Sequence, residues 1–141
     1  MLRCNYREGG MKPINLLGAA AALSLAATPA LAANWVYVDT LNSGTDIHYD
    51  ADTIRRSGNQ VTVWDKLDHS RDKKFEERER KRHYRYDCAE RTITLLAAIA
   101  YYPDGTNKSF TWQKYEQKTR AVAPDTLAEI TLEAVCAATA P

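Results

Sequence analysis

The sequence predicts an α+β domain: an antiparallel β-sheet of about six strands, with a C-terminal α-helix packed on one face and tied to it by a disulfide. Three observations carry this. Side-chain character alternates with a period of two from Trp35 onward, turn chemistry at Asn42-Ser43-Gly44, Gly58-Asn59 and Pro103-Asp104-Gly105 divides the runs, and a broad apolar arc at helical spacing follows Pro124.

The domain is expected to begin at residue 33, after a secretory signal spanning 11–32. Lys12 supplies positive charge, Ile14 to Ala27 is an apolar run, and Ala30 and Ala32 place small residues at −3 and −1 of a cleavage site. Pro29 breaks the run and no cationic stop-transfer cluster follows, so cleavage is expected to leave no permanent membrane span. Residues 1–10 read as a non-native extension or as the n-region, with Met11 as an alternative start. Ala33, Asn34 and Trp35 follow the cleavage point, so no acylated cysteine is encoded there.

The elements follow in order. Trp35, Tyr37 and Asp39 alternate with Val36, Val38 and Thr40 as a first strand, and Ile47–Asp50 forms a second after the Gly44 turn. Gln60–Leu67 makes a third, with Val61, Val63 and Leu67 on one face and Trp64 on the other. Asp68–Arg82, dense in both charges, reads as the exposed connection between two long antiparallel strands. The fourth strand turns Tyr84, Tyr86 and Cys88 inward. Thr92–Tyr102, apolar on both phases, reads as a central strand covered on both sides. Pro103-Asp104-Gly105 turns it into a sixth element ending near Tyr115. Glu116–Ala123 reads as irregular, and Pro124-Asp125-Thr126 as the first turn of a helix running to about Ala137.

Charge excludes some functions. The chain holds 19 Lys and Arg against 18 Asp and Glu; without Arg3, Arg7, Lys12 and Glu8 the mature part carries a net −1. A balance so even provides no overall field for nucleic acid or anionic lipid. Cys88 and Cys136 form an even pair in a chain bound for an oxidising compartment and are expected to be bonded, Cys4 lying before the signal.

No catalytic motif is legible: H-E-x-x-H, C-x-x-C and a Gly-rich phosphate loop are all missing, and of the six glycines the three after the signal, Gly44, Gly58 and Gly105, are scattered among turns. Asp46, His48, Asp50 and Asp52 alternate along an extended segment, which admits a cation-site or acid/base reading but fits a strand edge and turn better. His69 and His83 flank the charged connection without a nucleophile in a known motif beside them. Neither an enzyme nor a cofactor or metal is expected. The candidate binding residues are instead a basic patch, Arg71, Lys73, Lys74, Arg78, Arg80, Lys81, Arg82 and Arg85, for a polyanionic or charged partner, together with outward aromatic residues.

From Asn34 to Cys136 the chain resembles the bacterial surface-adhesin protein E family. The resemblance rests on Trp35-Val36-Tyr37-Val38, Tyr49-Asp50-Ala51-Asp52-Thr53-Ile54 with Gly58, Val61-Thr62-Val63-Trp64, Tyr86-Asp87-Cys88, and Pro124-Asp125-Thr126-Leu127 leading to Val135-Cys136. It implies a small exported protein of a Gram-negative bacterium, periplasmic or at the cell surface, with a disulfide joining helix to sheet. It also implies adhesion to host matrix or serum proteins. Self-association of an envelope or stress protein, as a homodimer through an unpaired strand edge, is the alternative. A small hydrolase or metal-dependent enzyme using His48 with Asp46, Asp50 or Asp52 is a distant third.

Overall fold

The computed structural model describes residues 32–139. The predicted signal at 11–32 lies, but for Ala32, outside the described residues. Among the described residues eight strands and one helix follow each other: β1 (Trp35–Thr40), β2 (Asp46–Asp50), a 3-10 turn (Ala51–Thr53), β3 (Arg55–Ser57), β4 (Gln60–Asp68), β5 (Glu79–Asp87), β6 (Thr92–Tyr101), β7 (Asn107–Thr111), β8 (Thr119–Ala121) and α1 (Leu127–Ala138). All pairings are antiparallel in the order β1-β2-β4-β5-β6-β7, as expected for the fold class.

Two short strands complete the sheet. β3 pairs with the first residues of β4 and β8 with the first residues of β6, so each fills a half-row that β2 or β7 leaves open. All their residues are exposed, so no buried face imposes the alternation that marked the longer strands.

Val61, Val63, Tyr84, Tyr86 and Ile93 form the covered face of the sheet, and Leu132 and Val135 of α1 pack on them. The helix lies against β1, β2 and β4. The Cys88–Cys136 disulfide, as expected, links the end of β5 to the last turn of the helix. Arg91, in the β5–β6 turn, donates to Glu129 and Glu133 on the outer side of α1 at 2.5 and 3.4 Å. Arg56 donates to the Thr139 carbonyl at the helix end at 2.7 Å.

Four expectations need correction. The helix starts at Leu127, because Asp125 has a positive φ of 57° and Thr126 is the N-cap. The Thr126 hydroxyl accepts from Glu129 N, while the Glu129 carboxylate accepts from Asp125 N, a capping-box-like pair displaced by one residue to the amide before the N-cap. Thr126→Ala is expected to cost about 1 kcal/mol, read as a lower urea midpoint. An unchanged midpoint would leave the cap without energetic weight.

β6 is apolar on both phases because of a bulge. Tyr84 faces Leu95 but His83 faces Ala97, so Leu96 is an extra residue. Ile93 and Leu95 before it therefore share a face with Ala98 and Ala100 after it. β7, for its part, stops at Thr111 rather than near Tyr115; Trp112 N still bonds to the Leu96 carbonyl at 3.0 Å.

The charged connection is shorter than expected and partly buried. β5 already includes Glu79–Arg82, and within the remaining connection His69, Asp72 and Glu77 are buried. The burial of these polar groups is compensated in part, His69 Nε2 having no hydrogen-bond partner among the described residues. Thr45 donates its hydroxyl proton to Asp72 Oδ2 at 2.9 Å and so accepts from His69 Nδ1 at 3.0 Å, while Glu77 pairs with Arg80.

Candidate functional site

The register sorts the predicted basic patch onto different surfaces. Arg80 and Arg82 share the face of Tyr84 and Tyr86, whereas Lys81 and Arg85 point to the opposite, open face of the sheet. Arg71 leaves the connection to pair with Asp46 at 2.5 Å. Lys73, Lys74 and Arg78 are exposed along the connection. The eight residues therefore do not form one cluster; Arg80 and Arg82 are the pair that the strand places side by side.

Arg82 is the most constrained. It donates through Nε and Nη2 to both carboxylate oxygens of Asp65, at 2.8 and 2.7 Å, and lies 5.0 Å over the Tyr84 ring. Asp65 has no exposed surface. Burial raises the Asp65 carboxyl above its ordinary range against the pull of Arg82. Burial opposes the charge on Arg82 as well, but Asp65 outweighs it and keeps the guanidinium protonated.

Because α1 covers the β1, β2 and β4 side and reaches Tyr84, Tyr86 and Ile93, the same face is left open over the first half of β5, the second half of β6 and β7. A trough of 430 Å³ runs there, with Arg80 and Arg82 on one bank, Ala98 and Ala100 as its floor, and Phe110 and Trp112 on the other. The floor residues lie directly opposite their banks: Arg82, Ala98 and Phe110 form one row, Arg80, Ala100 and Lys108 the next. Phe110 is 51% exposed. Leu95 and Trp112 continue into a second hollow of 580 Å³. Arg120 lines that hollow and a third, of 330 Å³, beside Leu127.

The open face carries rows of like character. Asp46, Asp68 and Glu79 stand directly opposite one another, and His48, Lys66 and Lys81 form the adjacent row. Trp64 and His83 stack at 5.0 Å in the row beyond, and Lys66 and Lys81 lie over the Trp35 ring at 4.9 and 5.6 Å. Asp50 serves the backbone, accepting from Asn34 N and Asp52 N, so the alternating Asp46–Asp52 segment does not converge on one point. Among the described residues no group of three or more His, Cys, Asp or Glu is arranged to hold a metal ion. His69 and His83 sit on opposite faces, His69 stacked on Phe75 and His83 on Trp64. No described helix is long and apolar enough to cross a membrane.

Burial lowers the pKa of His48, His69 and His83. A histidine held neutral by the fold contributes stability present above its unfolded pKa, near 6.5, and lost as pH falls below it, because the unfolded chain takes up the proton first. The urea midpoint is expected to decline from pH 7.5 to 5.5, and to decline less in His69→Gln and His83→Gln. A flat midpoint over that range would refute the linkage.

Ala98, Ala100 and Arg120 belong to no motif in the sequence. The one available signal was the apolar run with small residues in the middle of β6.

Comparison with known proteins places these features. The family model of surface-adhesin protein E matches residues 35–137. Crystal form II of Haemophilus influenzae protein E is similar in structure, with a TM-score of 0.52 and 16% identity over 82% of this chain and 97% of that one. Protein E from non-typeable Haemophilus influenzae is similar at a TM-score of 0.51 and 15% identity, over 80% and 82% of the two chains. A search of curated proteins finds no match. At these identities the structures speak for the fold, whereas the family model spans the sheet, the helix and both bridging cysteines: the chain belongs to the surface-adhesin protein E family.

Proposed function

We propose that this domain is an exported, non-enzymatic binding module that contacts another protein through the trough over β5, β6 and β7. One observation carries the reading. The helix covers only part of its face of the sheet and leaves an apolar floor between an arginine bank and an exposed aromatic bank. Aromatic and arginine side chains around a small-residue floor are the groups enriched where proteins dock. Membership of an adhesin family supports a surface role, with host matrix or serum proteins or other envelope proteins as the partners.

The test is retention of matrix, serum and envelope proteins on the immobilised protein, repeated with Phe110→Ser. Retention that falls with the variant is the expected result; an empty eluate would overturn the reading. Fractionation with protease shaving of whole cells separates surface display from a periplasmic location.

A second reading, self-association, is favoured by the open face. A row of acids beside a row of cations is self-complementary when a second copy is turned by a two-fold axis between them. Light scattering that gives a strict monomer at high concentration would dismiss it.

A further inference from the structure

We propose that the trough receives an extended peptide segment carrying carboxylates beside a large apolar side chain. This deepens the binding-module reading and rests on it. The slot spans two strand spacings, about 9.6 Å between the Cα rows of β5 and β7, and Ala98 and Ala100 leave its floor one methyl group deep. An extended chain fits that width. Leu95, Phe110 and Trp112 provide an apolar bay for one bulky side chain.

The polar groups of the slot are mostly cationic: Arg80 and Arg82 on its bank, and Lys118 and Arg120 in the adjoining hollow, where the one carboxylate, Glu116, already accepts from Gln113 N at 2.8 Å. Arg82 is fixed by Asp65 through Nε and Nη2, and Nη1 has no hydrogen-bond partner among the described residues. Its side chain is 14% exposed and lines the trough, so that remaining donor is held in place for an acceptor. Arg120 stands directly opposite Ile93 on β8, and has neither an ion pair nor a side-chain hydrogen bond among the described residues. Guanidinium groups bind carboxylates with strong, directional bonds, and neighbouring low-dielectric walls strengthen them. The ligand therefore has to bring negative charge at both ends of an apolar centre. A basic segment would face repulsion, and a purely apolar one would leave the Arg82 donor unmet.

The probe is a fluorescein-labelled, end-blocked octapeptide of alternating Glu with Leu and Phe, read by anisotropy against the purified full chain, with Gln-for-Glu and Lys-for-Glu peptides alongside. The Glu peptide is expected to bind at least tenfold more tightly than the Gln peptide and the Lys peptide not at all. Arg120→Gln is expected to weaken binding about tenfold, since one tenfold step corresponds to about 1.4 kcal/mol, the scale of a charged hydrogen bond. Ala100→Leu fills the floor and is expected to abolish binding; should it fail to fold by near-ultraviolet dichroism, the exposed Arg120→Gln decides alone. Lys73→Gln with Lys74→Gln, in the exposed connection, is expected to leave binding unchanged. Equal binding of the Glu and Gln peptides, or indifference to Arg120→Gln, would overturn the inference. A protein captured on the immobilised domain but untouched by Arg120→Gln and Ala100→Leu would overturn this chemistry and leave the binding module standing. Tight, Arg120-dependent peptide binding with no protein captured would uphold the chemistry and remove the partner.

Discussion

Arg82→Ala is expected to destabilise the domain by about 3–5 kcal/mol, a large part of the roughly 5–15 kcal/mol that holds a domain of this size. Removing the guanidinium strands the Asp65 carboxylate without surface exposure and without either of its bonds at 2.8 and 2.7 Å. The loss is a penalty for an unpaired charge rather than the worth of the ion pair. Asp65→Leu combined with Arg82→Met is therefore expected to recover most of it, as apolar replacements of buried pairs do. The variant also carries a pH signature. Without Arg82 the folded-state pKa of Asp65 rises further above its unfolded value, so the stability tied to it is complete below about pH 4 and lost as pH rises through the folded pKa. Arg82→Ala is thus expected to lose less relative to the parent at pH 4.5 than at pH 7.5. Urea unfolding of the parent, Arg82→Ala and the double variant at both values decides it. A single-variant loss under about 1 kcal/mol would mean that water reaches Asp65.

The second large effect is expected from Cys88→Ser with Cys136→Ser. The bridge closes a loop with a sequence separation of 48, for which the chain-entropy relation gives about 4 kcal/mol. In a domain of about 100 residues this corresponds to a fall in Tm of roughly 15 °C or more. The loss is expected to be uneven. A helix of 12 residues is marginal alone, and Leu132 and Val135 are its fully buried apolar anchors. Amide exchange is expected to accelerate first in α1, while β4 and β5 keep protection. A Tm unchanged by the double substitution, or by reduction of the parent, would contradict this.

Much of the fold was legible because burial is periodic. β1, β2 and β4 follow from alternation, and the 58–59 and 103–105 turns from residues that accept turn geometry. Alternation fails where nothing is buried, as in β3 and β8, and misleads where a bulge changes its phase, as at Leu96. Charged residues were harder to read. Asp65 lies in phase with Val61, Val63 and Leu67, which marks it as inward, but its partner lies 17 positions away. Asp72 and His69 are buried only because Thr45 reaches them from another turn. The trough was legible only as small apolar residues in β6, since a concavity is made by neighbours on three strands and not by a motif.

The strand order has a consequence for how the chain reaches its native state. Nearly every pairing joins segments that are neighbours or near-neighbours in sequence, so the sheet is a meander in which each hairpin extends the last. Its loop-closure cost is therefore modest and the sheet can grow hairpin by hairpin. The helix is different: its contacts with β1, β2 and β4 span most of the domain, and they require the face they land on. Assembly is then ordered by topology, with docking of the C-terminal segment as the late event. Oxidation of Cys136 onto Cys88 records completion of that step rather than initiating it.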